Sequence, residues 1–157
     1  MRLLVISDSH SRRGEIEKAI ESQSDAKHIF FLGDCVRDIE DYTYIYPDRI
    51  FHIVSGNCDF SSEFPCENET VIEGLRIFYT HGHSYFVKGG LGGLKAEAKR
   101  RSAKIVLYGH THISKIDYDD GIYFVNPGSL SSGRESGTSF AVIDIKPNGI
   151  MPIIIKT

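Results

Sequence analysis

Over the first two-thirds of the chain, short apolar runs alternate with polar and amphipathic stretches. Leu3–Ile6, Ile29–Leu32, Ile50–Val54, Leu75–Tyr79 and Ile105–Tyr108 are rich in β-branched, leucine and aromatic residues. Runs this short predict buried strands rather than helices. Between the first two, Glu15–Ser22 carries Ile16, Ala19 and Ile20 at helical spacing. Asp38–Tyr46 is read as a second helix stopped by Pro47, and Leu94–Arg101 as a third that follows a glycine-rich stretch. Past Gly109 the pattern changes to closely spaced strands at Ser114–Tyr118, Ile122–Val125, Ser139–Ile145 and Ile150–Lys156. Asp120-Gly121, Asn126-Pro127-Gly128 and Pro147-Asn148-Gly149 supply turn chemistry between them, so this third is expected to be an antiparallel meander. No linker, repeat or low-complexity tract interrupts the pattern, and one domain over residues 1–157 is the expectation.

The residues that follow each apolar run carry the chemistry. The first run leads to Asp8-Ser9-His10, the second to Gly33-Asp34, and the third to Gly56-Asn57-Cys58-Asp59. The fourth leads to His81-Gly82-His83 and the fifth to Gly109-His110-Thr111-His112. In α/β sheets the carboxyl ends of parallel strands aim their loops into one crevice, where sites form. Singly, Asp-x-His also reads as a helix cap beside a surface histidine, and Gly33-Asp34 as an ordinary turn. Two imidazoles in one tight turn, as in His110-Thr111-His112, are harder to bury without a partner. Asp, His and Asn supply mixed oxygen and nitrogen ligands with no obligatory thiolate, which suits Mn²⁺, Fe²⁺ or Zn²⁺ over Ca²⁺. Seven such residues exceed the needs of one ion and fit a pair sharing a carboxylate.

Composition narrows the function classes. The chain has 157 residues, 41% apolar and 25% charged, with a net charge of −3. That balance argues against a protein built to grip duplex nucleic acid, which needs clustered Lys and Arg. No apolar run is long enough to span a bilayer and no signal peptide is evident, so no membrane role and a cytoplasmic location are expected. Cys35, Cys58 and Cys66 form no CxxC pair and do not read as a disulfide framework.

The order Asp-x-His, Gly-Asp, Gly-Asn-x-Asp, His-Gly-His and Gly-His-Thr-His resembles the calcineurin-like metallophosphoesterase superfamily. The Gly-Asn-Cys-Asp variant, the small size and the trailing Asn126-Pro127-Gly128-Ser129 resemble its compact bacterial and archaeal phosphodiesterase branch. The resemblance implies an α/β fold, a four-layer α-β-β-α sandwich of two mixed sheets. It implies Asp8, His10 and His112 on one metal ion, Asn57, His81 and His110 on a second, and Asp34 bridging the two. Both ions would be divalent, Mn²⁺ first, with Fe²⁺, Zn²⁺ or Ni²⁺ as alternatives. A hydroxide shared between them would attack the phosphorus of a small or activated phosphate diester in line.

One departure matters. Many members have His after the Asn, where it is thought to protonate the leaving group; here that residue is Cys58. A thiol substitutes poorly, so esters with good leaving groups are expected to be preferred. His83 is the other candidate acid, with orientation of a metal ligand as its alternative role. Lys88–Lys95 fits no nucleotide-loop pattern and reads as a loop feeding a helix. Cys35 and Cys58 read as small packing residues, and Arg134 as a solvated loop arginine. Tyr42, Tyr44 and Tyr46 are explained by packing, or by a homo-oligomer interface if they form an exposed stripe. Two other functions are weighed against the phosphodiesterase. One is a protein-interaction scaffold that kept the fold and lost catalysis, as a retromer subunit of the same fold did; the other is a nuclease.

Overall fold

The computed structural model describes residues 1–132 and 137–157. Arg134 lies outside the described residues. Two five-stranded mixed sheets form the centre of the fold. The first contains β1 (Arg2–Ile6), β2 (Ala26–Phe31), β3 (Ile50–Ile53), β9 (Ser139–Lys146) and β10 (Gly149–Lys156), in the order β10-β9-β1-β2-β3. The second contains β4 (Glu67–Ile72), β5 (Leu75–Thr80), β6 (Ile105–Tyr108), β7 (Lys115–Asp119) and β8 (Ile122–Asn126), in the order β4-β5-β6-β8-β7. The helices are α1 (Arg13–Ser22), α2 (Arg37–Glu40), α3 (Tyr42–Ile45) and α4 (Gly92–Arg100).

Side chains alternate across a strand, and here both faces are covered. Leu4, Ile6, Ile29 and Phe31 face Ile16, Ala19 and Ile20 of α1. Leu3, Val5, Phe30 and Leu32 face the other sheet through Ile77, Tyr79, Ile105 and Leu107. Phe78, Val106 and Tyr108 on its outer face pack under Leu94 and Ala98 of α4. The layers are therefore α-β-β-α, as the resemblance implies. Double coverage is why these strands read as unbroken apolar runs rather than as alternating patterns.

Three details correct the expectations. The helix expected over Asp38–Tyr46 is two short helices, α2 and α3, divided at Asp41, which keeps helical dihedrals (φ −62°, ψ −31°). Tight 3₁₀-type bonds open this stretch, Asp38 N–H to Cys35 O and Ile39 N–H to Val36 O, and they interrupt the regular ladder. Its end before Pro47 is as expected. Second, β4 was not foreseen, because this edge strand is polar and only half-buried (Glu67-Asn-Glu-Thr-Val-Ile72). The signal for it was Glu73-Gly74, both at positive φ, which joins it to β5.

Third, the C-terminal meander is two antiparallel hairpins in different sheets. β7 pairs with β8, which runs parallel beside β6, while β9 lies antiparallel to both β1 and β10. Every residue of β9 but Lys146 is buried, in keeping with its interior position between β1 and β10. The crossing is made at Asn126-Pro127-Gly128-Ser129, with Gly128 at φ +84°.

Tyr42, Tyr44 and Tyr46 do not form a stripe. Tyr42 is buried with its hydroxyl donating to Arg13 O at 3.0 Å, Tyr46 stacks on it, and only Tyr44 is exposed.

Candidate metal centre

β1, β2 and β3 are mutually parallel, as are β5 and β6. Their carboxyl ends therefore deliver the Asp8, Asp34, Asn57, His81 and His110 loops to one end of the sandwich, where the two sheets meet. Five residues proposed from the sequence take left-handed φ values: Asp8 (54°), His10 (39°), Asp34 (60°), His110 (70°) and His112 (60°). Such dihedrals are costly for non-glycine residues and persist only where neighbours enforce them. The turns are also crowded. A Cβ on Gly109 would stand 2.1 Å from Ser7 Oγ, and one on Gly56 2.2 Å from Asp34 Oδ1, so both positions need glycine.

Two groups of ligating atoms result. In the first, one ligating atom from each of Asp8, His10, Asp34 and His112 lies within 4.8 Å of the others. His112 Nε2 is 3.0 Å from Asp8 Oδ1 and 3.4 Å from His10 Nε2, and His10 Nε2 is 3.7 Å from Asp34 Oδ2. In the second, His81 Nε2 lies 3.1 Å from Asn57 Oδ1, 3.2 Å from His110 Nδ1 and 3.5 Å from Asp34 Oδ1. The two oxygens of Asp34 thus face different groups.

Hydrogen bonds at the rear of the rings set what they present. His81 Nδ1–H donates to Leu32 O at 2.7 Å, which turns Nε2 toward the Asn57 oxygen. His112 Nδ1 lies 3.2 Å from both Ser132 O and Ser132 Oγ, so its Nε2 also points inward. Ring nitrogens and amide or carboxylate oxygens this close need a proton or a cation between them. Asp8 Oδ1 is buried and makes no hydrogen bond among the described residues, a costly state for a carboxylate oxygen without a cation. The donor set and the orphaned oxygen therefore fit divalent metal.

Electrostatics agree. Burial opposes ionisation of Asp8, but His112, His81 and Ser7 overcome it and hold its carboxyl below the usual range. His110 is brought down to about 4 by burial and by the positive charge of neighbouring His81 and Lys88, so it stays neutral and ligand-competent near pH 7.

The remaining sequence candidates sit at the rim. Cys58 is exposed, and its backbone N–H donates to Asp34 Oδ1 at 2.9 Å. Its thiol is pushed up to about 11 by burial and by Asp34. The ring of half-buried His83 is 5.4 Å from His81 and 6.1 Å from His110, with Nδ1 buried and unpaired among the described residues. Burial, and then His81, lowers its pKa.

Four residues that hold the loops escaped the sequence reading as functional. Asp59 accepts from the backbone N–H groups of Asp34, Cys35, Val36 and Gly56, all at 2.8 Å. Buried Asp38 accepts from Ser9 Oγ at 2.7 Å and Ser11 N–H at 2.8 Å, fixing the loop after Asp8. Asn126 Nδ2 donates to Gly109 O and Thr111 Oγ1, each at 3.0 Å, and Ser129 Oγ donates to Asp8 O at 2.8 Å. Their motifs were visible, but their partners lie far away in sequence.

Residues 1–148 match the family model described as the calcineurin-like phosphoesterase superfamily domain. The chain belongs to that superfamily. As a calcineurin-like phosphoesterase it is 28% identical over 148 residues to the probable metallophosphoesterase YsnB of Bacillus subtilis, covering 93% of this chain and 85% of that protein. It is 27% identical over 178 residues to the phosphodiesterase YfcE of Escherichia coli K12, covering 98% and 91%. Its fold matches that of wild-type Vps29 of Entamoeba histolytica complexed with zinc, with a TM-score of 0.76 at 21% identity over 99% and 98% of the two chains. The superfamily uses divalent metals, and this phosphoesterase has a cluster able to hold one. No helix among its described residues is long and apolar enough to cross a membrane.

Proposed function

We propose that this chain is a dinuclear metal-dependent phosphodiesterase acting on a small or activated phosphate diester. The observation that carries the reading is Asp34, whose Oδ2 faces His10 while its Oδ1 faces His81. Asp8, His10 and His112 would hold one ion, Asn57, His81 and His110 the other, and Asp34 would bridge them. Ions so held supply an activated water as nucleophile and stabilise charge on the phosphoryl oxygens. The protein's own part is to orient and to neutralise. Leu32 O and Ser132 anchor the rings of His81 and His112, and the Cys58 N–H steadies the bridging carboxylate. Mn²⁺ is the expected ion, residues 1–157 are read as one metallophosphoesterase domain, and the cytoplasm is the expected location.

Chelator-stripped protein should hydrolyse bis-p-nitrophenyl phosphate only when Mn²⁺ is restored, and Asp34→Asn should abolish that turnover. Full activity in the variant would sink the two-ion reading. At the rim, a thiol near 11 is a weak acid, and His83 is neutral. Nitrophenyl diesters should therefore be cleaved much faster than alkyl ones; equal rates would show that an efficient general acid is present.

The likeness to Vps29 supports a second reading, an interaction scaffold with weak catalysis. The undiminished ligand set favours the enzyme. A mass measurement in solution tests for a homo-oligomer, and a nuclease is disfavoured by the net charge of −3.

A further inference from the structure

A cavity of about 980 Å³ opens beside the centre, between α2–α3 and the segment 58–64. Ser11, Cys35 and Cys58 form part of its wall, and they directly follow His10, Asp34 and Asn57. Three separate ligand loops thus turn into the same space. A diester bound at the metal ligands has one alcohol leaving and a second that must lie somewhere, and this cavity abuts the ligands on three loops.

Its chemistry is lopsided. Five carboxylates line it, Asp38, Glu40, Asp41, Asp59 and Glu63, and Arg37 alone among the described lining residues is basic. Asp41 is paired with Arg13. Asp38 and Asp59 take their hydrogen bonds from neutral hydroxyl and backbone donors, so their charges are oriented but not cancelled. Glu40 and Glu63 are exposed to the space. Two aromatic rings, Tyr44 and Phe60, stand at its rim, each 85% exposed and therefore unsatisfied by packing. Carboxylates with exposed aromatic faces suit an organic cation, whereas a second phosphate or a carboxylate would meet repulsion.

We propose that this cavity receives the second alcohol of a phosphate diester and selects an ammonium alcohol over neutral and anionic counterparts. The inference rests on the phosphodiesterase reading for the reaction, though not for the binding preference. Hydrolysis adds water at phosphorus and breaks the P–O bond to the leaving alcohol. The products are that alcohol and the phosphate monoester of the alcohol held in the cavity.

Three p-nitrophenyl diesters of near-equal size decide the matter: those of choline, of 3,3-dimethylbutanol (its neutral isostere) and of 3-hydroxypropanoate. With Mn²⁺-loaded protein, kcat/KM should fall in that order, by about tenfold from first to last at low salt, and the spread should shrink at high salt. Glu40→Lys/Glu63→Lys should invert the order, while the affinity for Mn²⁺ stays unchanged because neither residue is placed among the metal ligands. Phe60→Leu, which keeps apolar bulk but loses the ring face, should lower choline's advantage over its isostere about threefold. Equal kcat/KM for the three esters, or an order untouched by charge reversal, would overturn the proposal. Should none of them be hydrolysed, the phosphodiesterase reading falls by itself. Calorimetry with the three corresponding phosphate monoesters then still tests the cavity. Tighter binding of phosphocholine upholds the assignment, and equal Kd values refute it.

Discussion

The two sheets contribute to the centre unequally. Loops after β1, β2 and β3 bring the oxygens of Asp8, Asp34 and Asn57, with His10 as their one imidazole. Loops after β5 and β6 bring only nitrogens, from His81, His110 and His112. The means of restraint differ in the same way. On the first sheet, Asp38 and Asp59 clamp loop backbone with charge-assisted hydrogen bonds. On the second, the neutral amide of Asn126 straps Gly109 to Thr111. Negative charge thus comes from one sheet and imidazole nitrogens from the other, and the centre exists only where the two pack together. The His110 N–H donates across that seam to Asp8 Oδ2 at 3.2 Å.

The comparison breaks most severely at the bridging charge. Asp34→Asn should lower kcat by about a thousandfold or more while the fold survives, because shape is kept and charge is lost. Circular dichroism alongside the diester assay checks both halves of that statement. Next comes the charged clamp. Asp59→Ala leaves four N–H groups without their acceptor and should cost about 3 kcal/mol of stability and weaken metal binding about tenfold to a hundredfold. Urea denaturation and Mn²⁺ titration measure these. Asn126→Ala on the neutral side should cost less, about 1–2 kcal/mol, since neutral hydrogen bonds are weaker than charge-assisted ones. If Asn126→Ala proves the more damaging, the contrast between charged and neutral restraint is wrong.

The smallest effect is in pH. Folding lowers His110 from its ordinary 6.5 to about 4 through burial and the positive charge of His81 and Lys88. His52, at the far edge of the first sheet, is also lowered to about 4, by burial and by His28, 3.0 Å away. For both, the unfolded chain binds more protons between about pH 4 and 6.5, so these groups make metal-free stability rise with pH through that window and contribute nothing further above it. Adding Zn²⁺ should remove the His110 titration from the NMR spectrum and leave that of His52 in place. Loss of both, or of neither, would contradict the assignment of His110 to the centre.

Much of the fold was legible because the central strands are buried on both faces and therefore read as bare apolar runs. β4 was not, since an edge strand needs only its backbone and can spend its side chains on charge, as Glu67 and Glu69 do. The destination of β8 and β9 was hidden for another reason. Turn chemistry at Asn126-Pro127-Gly128 states that the chain reverses, not which sheet takes the next strand.

The same limit divides the site. The sequence alone determined which residues can ligate metal and that each ends a strand, because residue type and hydrophobic pattern are local properties. Tertiary structure decided that Asp34 turns one oxygen to each group, that Asp59 holds Asp34 and its neighbours, and that an acidic, aromatic-rimmed cavity adjoins them. Those facts depend on which distant backbone approaches which side chain, and only the packing of one sheet on the other fixes that.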